Sequence, residues 1–239
     1  DPNFVDAYLI GAWHLAYNVT AKMLDTPYEL RQWDDKYKAC VGEKERYYYW
    51  AVDFLEKGIR NNPRNYKLYF DLGFAIYKNK LEDYPNAVKY LTEAVRVPHD
   101  RWVPRQLFIC QELNGQYAEA YSGWKSYMEM FPESQTSLEV APRFMLRNQG
   151  RIAEKESLDA EKAAQAATGA DADALYAKAA EFRDKAVAIY SQMNDPFGEF
   201  RKAIIQAREL RREKRYLEAI AYLDKARWDY PAEFDEAAN

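Results

Sequence analysis

The 239-residue chain has little cysteine, little glycine and almost no histidine. Its two cysteines, Cys40 and Cys110, lie far apart in sequence, so they form neither a metal-binding pair nor a disulfide framework. A single Cys40–Cys110 bridge and two free thiols both stay open, and free buried thiols are the expectation. The histidines, His14 and His99, are isolated, and a structural role is expected of each. No HExxH, CxxC, GxGxxG or GxxxxGK[ST] string occurs. No catalytic, metal or cofactor residue is therefore assigned, and no small-molecule substrate is expected. No run of 18 apolar residues exists, so no spanning segment is expected, and no signal peptide is visible. There is no basic excess either. The net charge is −4 and the pI near 5.5, which argues against nucleic acid as a partner.

What the chain does have is helix-forming residues and rings. Ala, Leu, Glu, Lys and Arg abound, nine Gly are few for this length, and β-branched residues are sparse. Aromatic residues make up 15%, with 20 Tyr and 6 Trp. One spacing recurs four times: Ala51-Leu55-Gly58-Pro63, Ala87-Leu91-Ala94-Pro98, Ala120-Trp124-Tyr127-Pro132 and Ala219-Leu223-Ala226-Pro231. Offsets of four and seven keep three side chains on one helical face. The Pro ends each helix, because it lacks an N–H and disfavours helix in the residue before it. A helix that recurs with the same stripe and the same stop predicts a stacked helical repeat.

The second unit is the clearest. Tyr69-x-x-Leu72-Gly73, followed by Ala87, Leu91, Ala94 and Pro98, resembles the tetratricopeptide repeat (TPR) family. Gly73 fits a close helix crossing where a Cβ would clash. The resemblance implies an all-α, right-handed TPR-like superhelical solenoid. Residues 1–134 read as three such units, the first interrupted by an insertion over about 21–47, with a short helix expected around 27–40. Residues 135–195 read as a divergent unit. There a first helix is expected to stop at Gly150, and a long hairpin follows, its second helix capped by Asp171 or Asp173. Disorder competes with that reading over 160–172. Residues 196–239 read as a last unit and cap, with a polar tail from Asp229.

Two shorter phrases, Ala7-Tyr8…Ala12-Trp13…Ala16-Tyr17-Asn18 and Asn62-Pro63-Arg64…Asp71-Leu72-Gly73, resemble bacterial TPR proteins with an N-terminal membrane anchor and an exported repeat domain. That resemblance implies a periplasmic or cell-envelope location and proximity to a membrane. The opening Asp1-Pro2-Asn3-Phe4 reads as mid-repeat, so a truncated or processed start is expected.

In a TPR stack the first helix of each unit lines a concave groove. Carried over position by position, this implies partner-binding residues Leu9 and Trp13 in unit one, Phe70, Phe74 and Tyr77 in unit two, and Trp102, Arg105 and Ile109 in unit three. Rings and Arg are favoured anchors of protein interfaces. A surface this apolar should be covered by something. The expected role is a non-catalytic scaffold or adaptor holding a peptide or helix of a protein partner. Two alternatives stand beside it. The insertion could fold into the groove as a lid, or the chain could be an obligate structural subunit of a bacterial envelope assembly, contacting through outer faces. The basic run Arg208-x-x-Arg211-Arg212-x-Lys214-Arg215 could grip an acidic peptide or lipid headgroups, but pairing with Glu209, Glu213 and Glu218 is the expected account.

Overall fold

The computed structural model describes residues 2–233. The chain divides into two compact units, Asp1–Gln116 and Tyr117–Asn239. Both are built from helices packed on their sequence neighbours.

In the first unit, α1 (Val5–Trp13) runs on as a π-helical stretch, His14–Val19, and packs on α2 (Glu43–Asn61). α3 (Tyr66–Phe70) likewise runs on as a π-helical stretch, Asp71–Lys78, and packs on α4 (Tyr84–Arg96). α5 (Val103–Leu113) packs on α4 in turn. The helix starts are written in the sequence. Asn65 accepts a hydrogen bond from the Lys67 N–H at 3.0 Å, and Asp83 accepts one from the Asn86 N–H at 3.0 Å, with Pro85 in the first turn.

The recurring stripe faces inward in every copy. Ala51, Leu55, Ala87, Leu91, Ala94, Ala120, Trp124, Tyr127, Ala219 and Ala226 all lie in the core, and Leu223 is half-buried. The helices carrying it end at Asn61, Arg96, Met130 and Asp229, each two residues before its proline. At Gly73 an added Cβ would stand 2.9 Å from Leu91 Cγ and 3.0 Å from the Ala87 carbonyl oxygen, so only glycine permits this approach of α3's extension to α4.

The inserted segment differs from the helix expected around 27–40. Only a 3-10 turn, Tyr28–Leu30, is helical there. A small hairpin follows, β1 (Gln32–Asp34) paired antiparallel with β2 (Ala39–Val41) in the register Gln32↔Val41, Trp33↔Cys40 and Asp34↔Ala39. The cause is Asp34, whose carboxylate accepts from the N–H groups of Lys36 and Tyr37 and folds the chain into a turn that competes with helix. The hairpin docks on α2. Tyr37 stacks on Tyr49 at 4.3 Å and donates to Asp53 at 2.7 Å, and Arg31 pairs with Glu45 at 3.0 Å. Both cysteines are free, Cys40 exposed and Cys110 buried.

In the second unit, α6 (Tyr117–Met130) packs on α7 (Ala141–Ala166), α7 on α8 (Ala170–Met193), α8 on α9 (Pro196–Arg212), and α9 on α10 (Tyr216–Asp229). Contrary to expectation, Gly150 does not stop a helix; α7 passes straight through it. The glycine is there because the Tyr190 ring of α8 occupies the space a Cβ would fill. The Ala-rich stretch is ordered for the same kind of reason. Ala153, Ala160, Ala164, Ala179 and Ala186 are buried between α7 and α8, and Ser157 donates to the Ala179 carbonyl at 2.8 Å. Neither Asp171 nor Asp173 caps α8; its cap is Gly169, at φ 61°, and the two carboxylates lie in the first turn. At the centre, buried Glu154 receives Arg201 through Nε at 2.8 Å and through Nη2.

The basic run is largely neutralised. Arg208 reaches Glu154, Arg212 reaches Glu161 and Glu209, and Arg215 reaches Glu213 and Glu218. The polar tail expected from Asp229 lies outside the described residues from 234 onward, and so does Asp1.

Candidate functional site

The residues carried over from the repeat pattern all fall in the first unit, on α1, on α3 and its π-helical extension, and on α5 with the turn residue just before it. The structure brings several of them into contact. Phe70 stacks on Phe74 with ring centroids 5.1 Å apart, and Trp102 meets Phe70 edge-on at 4.9 Å. The Arg105 guanidinium donates to the Trp102 carbonyl at 3.3 Å. Leu9 and Ile109 are half-buried on the same helices. Trp13 keeps 52% of its surface exposed and stacks on Tyr17 at 5.6 Å. Tyr17 in turn donates to the Ala75 carbonyl at 2.9 Å, which ties the α1 rings to the helix carrying Phe70 and Phe74.

Tyr77 goes elsewhere. It is buried and lies parallel to Tyr90 of α4 at 5.4 Å, while Tyr90 donates to Glu56 of α2 at 2.7 Å. Burial first, and then the charge of Glu56 and Asp83, push the Tyr77 phenol far up. The cause of its turn away is local geometry. From Asp71 onward the helix is wound with i→i+5 bonds, so three residues no longer bring the chain back under Phe74 as the 3.6 period requires.

Residues outside the repeat pattern complete the face. Lys80 Nζ sits 3.8 Å over the Tyr17 ring, and Lys78 Nζ sits 4.8 Å over Phe74. Burial, helped by Lys44, holds the Lys80 ammonium below its ordinary range. Tyr17 is raised by burial, with the Asn79 amide working against and the charge of Asp71 adding to it. Asp71 lies between Phe70 and Phe74 in sequence and is half-buried. Burial pushes its carboxyl up to about 6, with only Lys67 pulling the other way. A helical period counts only apolar positions, and so it passes over Asp71. A signal is present in the sequence all the same: Asp71 is the one charged residue between Leu68 and Tyr77.

A concavity of about 430 Å³ lies apart from this face, between the hairpin and α2, lined by Trp33, Tyr37, Arg46, Trp50 and Asp53 among others. Its two tryptophans are 60% and 45% exposed, but Tyr37, Lys36 and Asp53 are already bonded to each other there.

The face built around α1, α3 and α5 can hold apolar and ring-stacking groups, and two ammoniums, those of Lys78 and Lys80, lie against its rings. Among the described residues it presents no nucleophile paired with a base. No family model matches the chain, and no curated protein matches it.

Proposed function

We propose that the chain is a non-catalytic protein-interaction scaffold, a TPR-like solenoid whose ringed first-unit face holds a peptide segment or helix of a protein partner. The observation that supports this reading most is the exposure of Trp13, which stacks on Tyr17, on the helix next to the half-buried cluster of Phe70, Phe74 and Trp102, while the inserted hairpin docks on α2. Large rings held in fixed stacks lose little freedom on binding, which suits anchors at the centre of an interface. An extended or helical segment with two or three apolar side chains fits such a surface. The bacterial envelope remains the proposed setting, on the strength of the sequence phrases alone.

A second reading, an obligate subunit of a bacterial envelope assembly joined through outer faces, draws on α10. Leu217, Ile220 and Trp228 there are 84%, 55% and 87% exposed, and an apolar face that open is a marker of association.

The two are separated by capture from a lysate of the source cells with two purified variants. One carries Trp13→Ala and Phe74→Ala; the other carries Leu217→Ser, Ile220→Ser and Trp228→Gln. Loss of the captured protein with the first variant alone is the expected result. Loss with the second alone would move the function to α10 and end the first reading.

A further inference from the structure

The concavity between the hairpin and α2 takes one tryptophan from each element, Trp33 from β1 and Trp50 from α2. Tyr37 fixes the two elements against each other through its stack on Tyr49 and its hydrogen bond to Asp53. Both tryptophans are open to solvent, yet each is held. Trp33 donates its indole N–H to Asp35 at 3.1 Å, and Trp50 meets Tyr47 edge-on at 4.8 Å. Trp33 has thus used its one donor, and what it offers a guest is a ring face. The charges on the wall balance, with Asp34 and Asp53 against Lys36 and Arg46. The bonds to each acid fall on one oxygen. Asp53 takes Lys36 and Tyr37 on Oδ2, and Asp34 takes the N–H groups of Lys36 and Tyr37 on Oδ1, so the other oxygen of each accepts no bond from a described residue. The side chains of Arg46 and Gln32 are exposed at the same cavity, and neither holds a hydrogen bond or ion pair among the described residues.

We propose that this concavity binds a neutral saccharide of about two pyranose rings, whose C–H faces lie on the Trp33 and Trp50 rings while its hydroxyls bond to Arg46, Gln32 and the open carboxylate oxygens. The site is separate from the ringed face of α1, α3 and α5 and does not rest on the docking role of that face. Charge selects against ionic guests. A cation meets Lys36 and Arg46 in this space, and an anion meets Asp34 and Asp53. A neutral polyol meets neither obstacle. Each of its hydroxyls both donates and accepts, which matches a wall where free donors and free acceptors occur together. The rings supply the rest. An aromatic face carries the negative side of its quadrupole, and the C–H bonds of a pyranose face turn their positive ends toward it. Because Tyr37 already sets the hairpin on α2, little freedom is lost when the guest enters.

The test uses the full chain and unlabelled sugars, with affinity read by isothermal titration calorimetry at pH 6. The neutral probes are cellobiose, maltose and N,N′-diacetylchitobiose; the charged ones of matching size are cellobiuronic acid and chitobiose. At least one neutral disaccharide is expected to bind with a Kd of about 1 mM or tighter, and both charged sugars about tenfold more weakly. Trp33→Ala and Trp50→Ala are each expected to weaken neutral binding about tenfold, whereas Trp33→Phe, which keeps a ring face and loses the N–H, is expected to stay within about threefold of the parent. Trp13→Ala with Phe74→Ala is expected to leave it unchanged. Circular dichroism checks that each variant keeps the helix content of the parent. Tighter binding of a charged sugar than of every neutral one overturns the ligand class. Neutral binding that survives both tryptophan variants, or is lost with Trp13→Ala and Phe74→Ala, overturns the site. Failure of every sugar to bind the parent chain overturns the proposal and leaves the docking role of the other face standing.

Discussion

The ring of Tyr190 lies against the backbone of Gly150, filling the space of a missing side chain. Tyr190 is fully buried, with Phe197 edge-on to it at 6.0 Å and Ala153, Ala186 and Ile205 in the same cluster, so the ring has nowhere to retreat. In a free helix, Gly→Ala gains about 1 kcal/mol. Here overpacking, at about 1–3 kcal/mol, works against that gain and exceeds it. Gly150→Ala is expected to destabilise the chain by up to about 2 kcal/mol in urea unfolding. Tyr190→Leu in the same chain is expected to remove most of that penalty, giving a coupling energy that a simple propensity effect cannot produce.

The same pair shows why part of the fold is legible in the sequence and part is not. The recurring stripe, Ala, a large apolar residue, a small or aromatic residue and Pro, encodes both a buried face and a stop, so the helix ends at Asn61, Arg96, Met130 and Asp229 follow from local chemistry. Gly150 carries no such local cue. A glycine that ends a helix and one that admits a ring from a distant helix look alike until the partner is placed. The Ala-rich stretch is ambiguous in the same way, because Ala153, Ala160 and Ala164 are small for contact with α8 and not for want of a core. On the candidate face, Phe70, Phe74 and Trp102 are implied by the resemblance to the repeat family, position by position, and they do come into contact. Tyr77 is implied in the same way and turns away, since the π-helical winding over Asp71–Lys78 changes which positions share a face.

Glu154 is the electrostatic centre of the second unit. Burial raises its carboxyl, but the Arg201 hydrogen bonds and the charges of Arg201 and Arg151 outweigh that and hold it below its ordinary value. A depressed acid stabilises the fold above its unfolded pKa and loses that contribution as pH falls through the folded one. Glu154→Gln strands the Arg201 guanidinium, and breaking a buried pair costs about 3–5 kcal/mol. Urea titrations at pH 7 are expected to show a loss of that order. The deficit should narrow as pH falls below the ordinary carboxylate range and through the depressed folded value, where the parent takes up the proton and loses the same attraction. An equal deficit at every pH would mean that Gln disturbs packing and not charge.

The hairpin's hold on α2 is concentrated in Tyr37, which combines a stack on Tyr49 with a hydrogen bond to Asp53. The stack is worth about 0.5–1.5 kcal/mol and the bond about 1 kcal/mol more. Tyr37→Ala is expected to cost about 1.5–2.5 kcal/mol. Amide hydrogen exchange is expected to speed up over 32–41 while the helical core keeps its protection. If exchange also rises around Trp13 and Phe74, the hairpin supports the ringed face as well as α2.

Asp71 yields a pH dependence of the opposite sign to that of Glu154. Its folded pKa, about 6, stands above the unfolded value of 3.8, because burial without a partner penalises the charged form. Between those values the folded chain binds more protons than the unfolded chain, so stability falls as pH rises from about 4 to about 6 and is level beyond it. A rise of that size corresponds to about 3 kcal/mol, and partial exposure of the carboxyl brings this to about 1–2 kcal/mol. Asp71→Asn is therefore expected to be more stable than the parent by about that amount at pH 7.5 and equal to it at pH 4, measured by thermal or urea unfolding across the range. A stability gain from removing a charge at neutral pH is unusual for a surface residue, and it would mark Asp71 as a group kept ionised at a cost to folding. A parent chain no less stable at pH 7.5 than the variant would mean that the carboxylate already has a partner in solution.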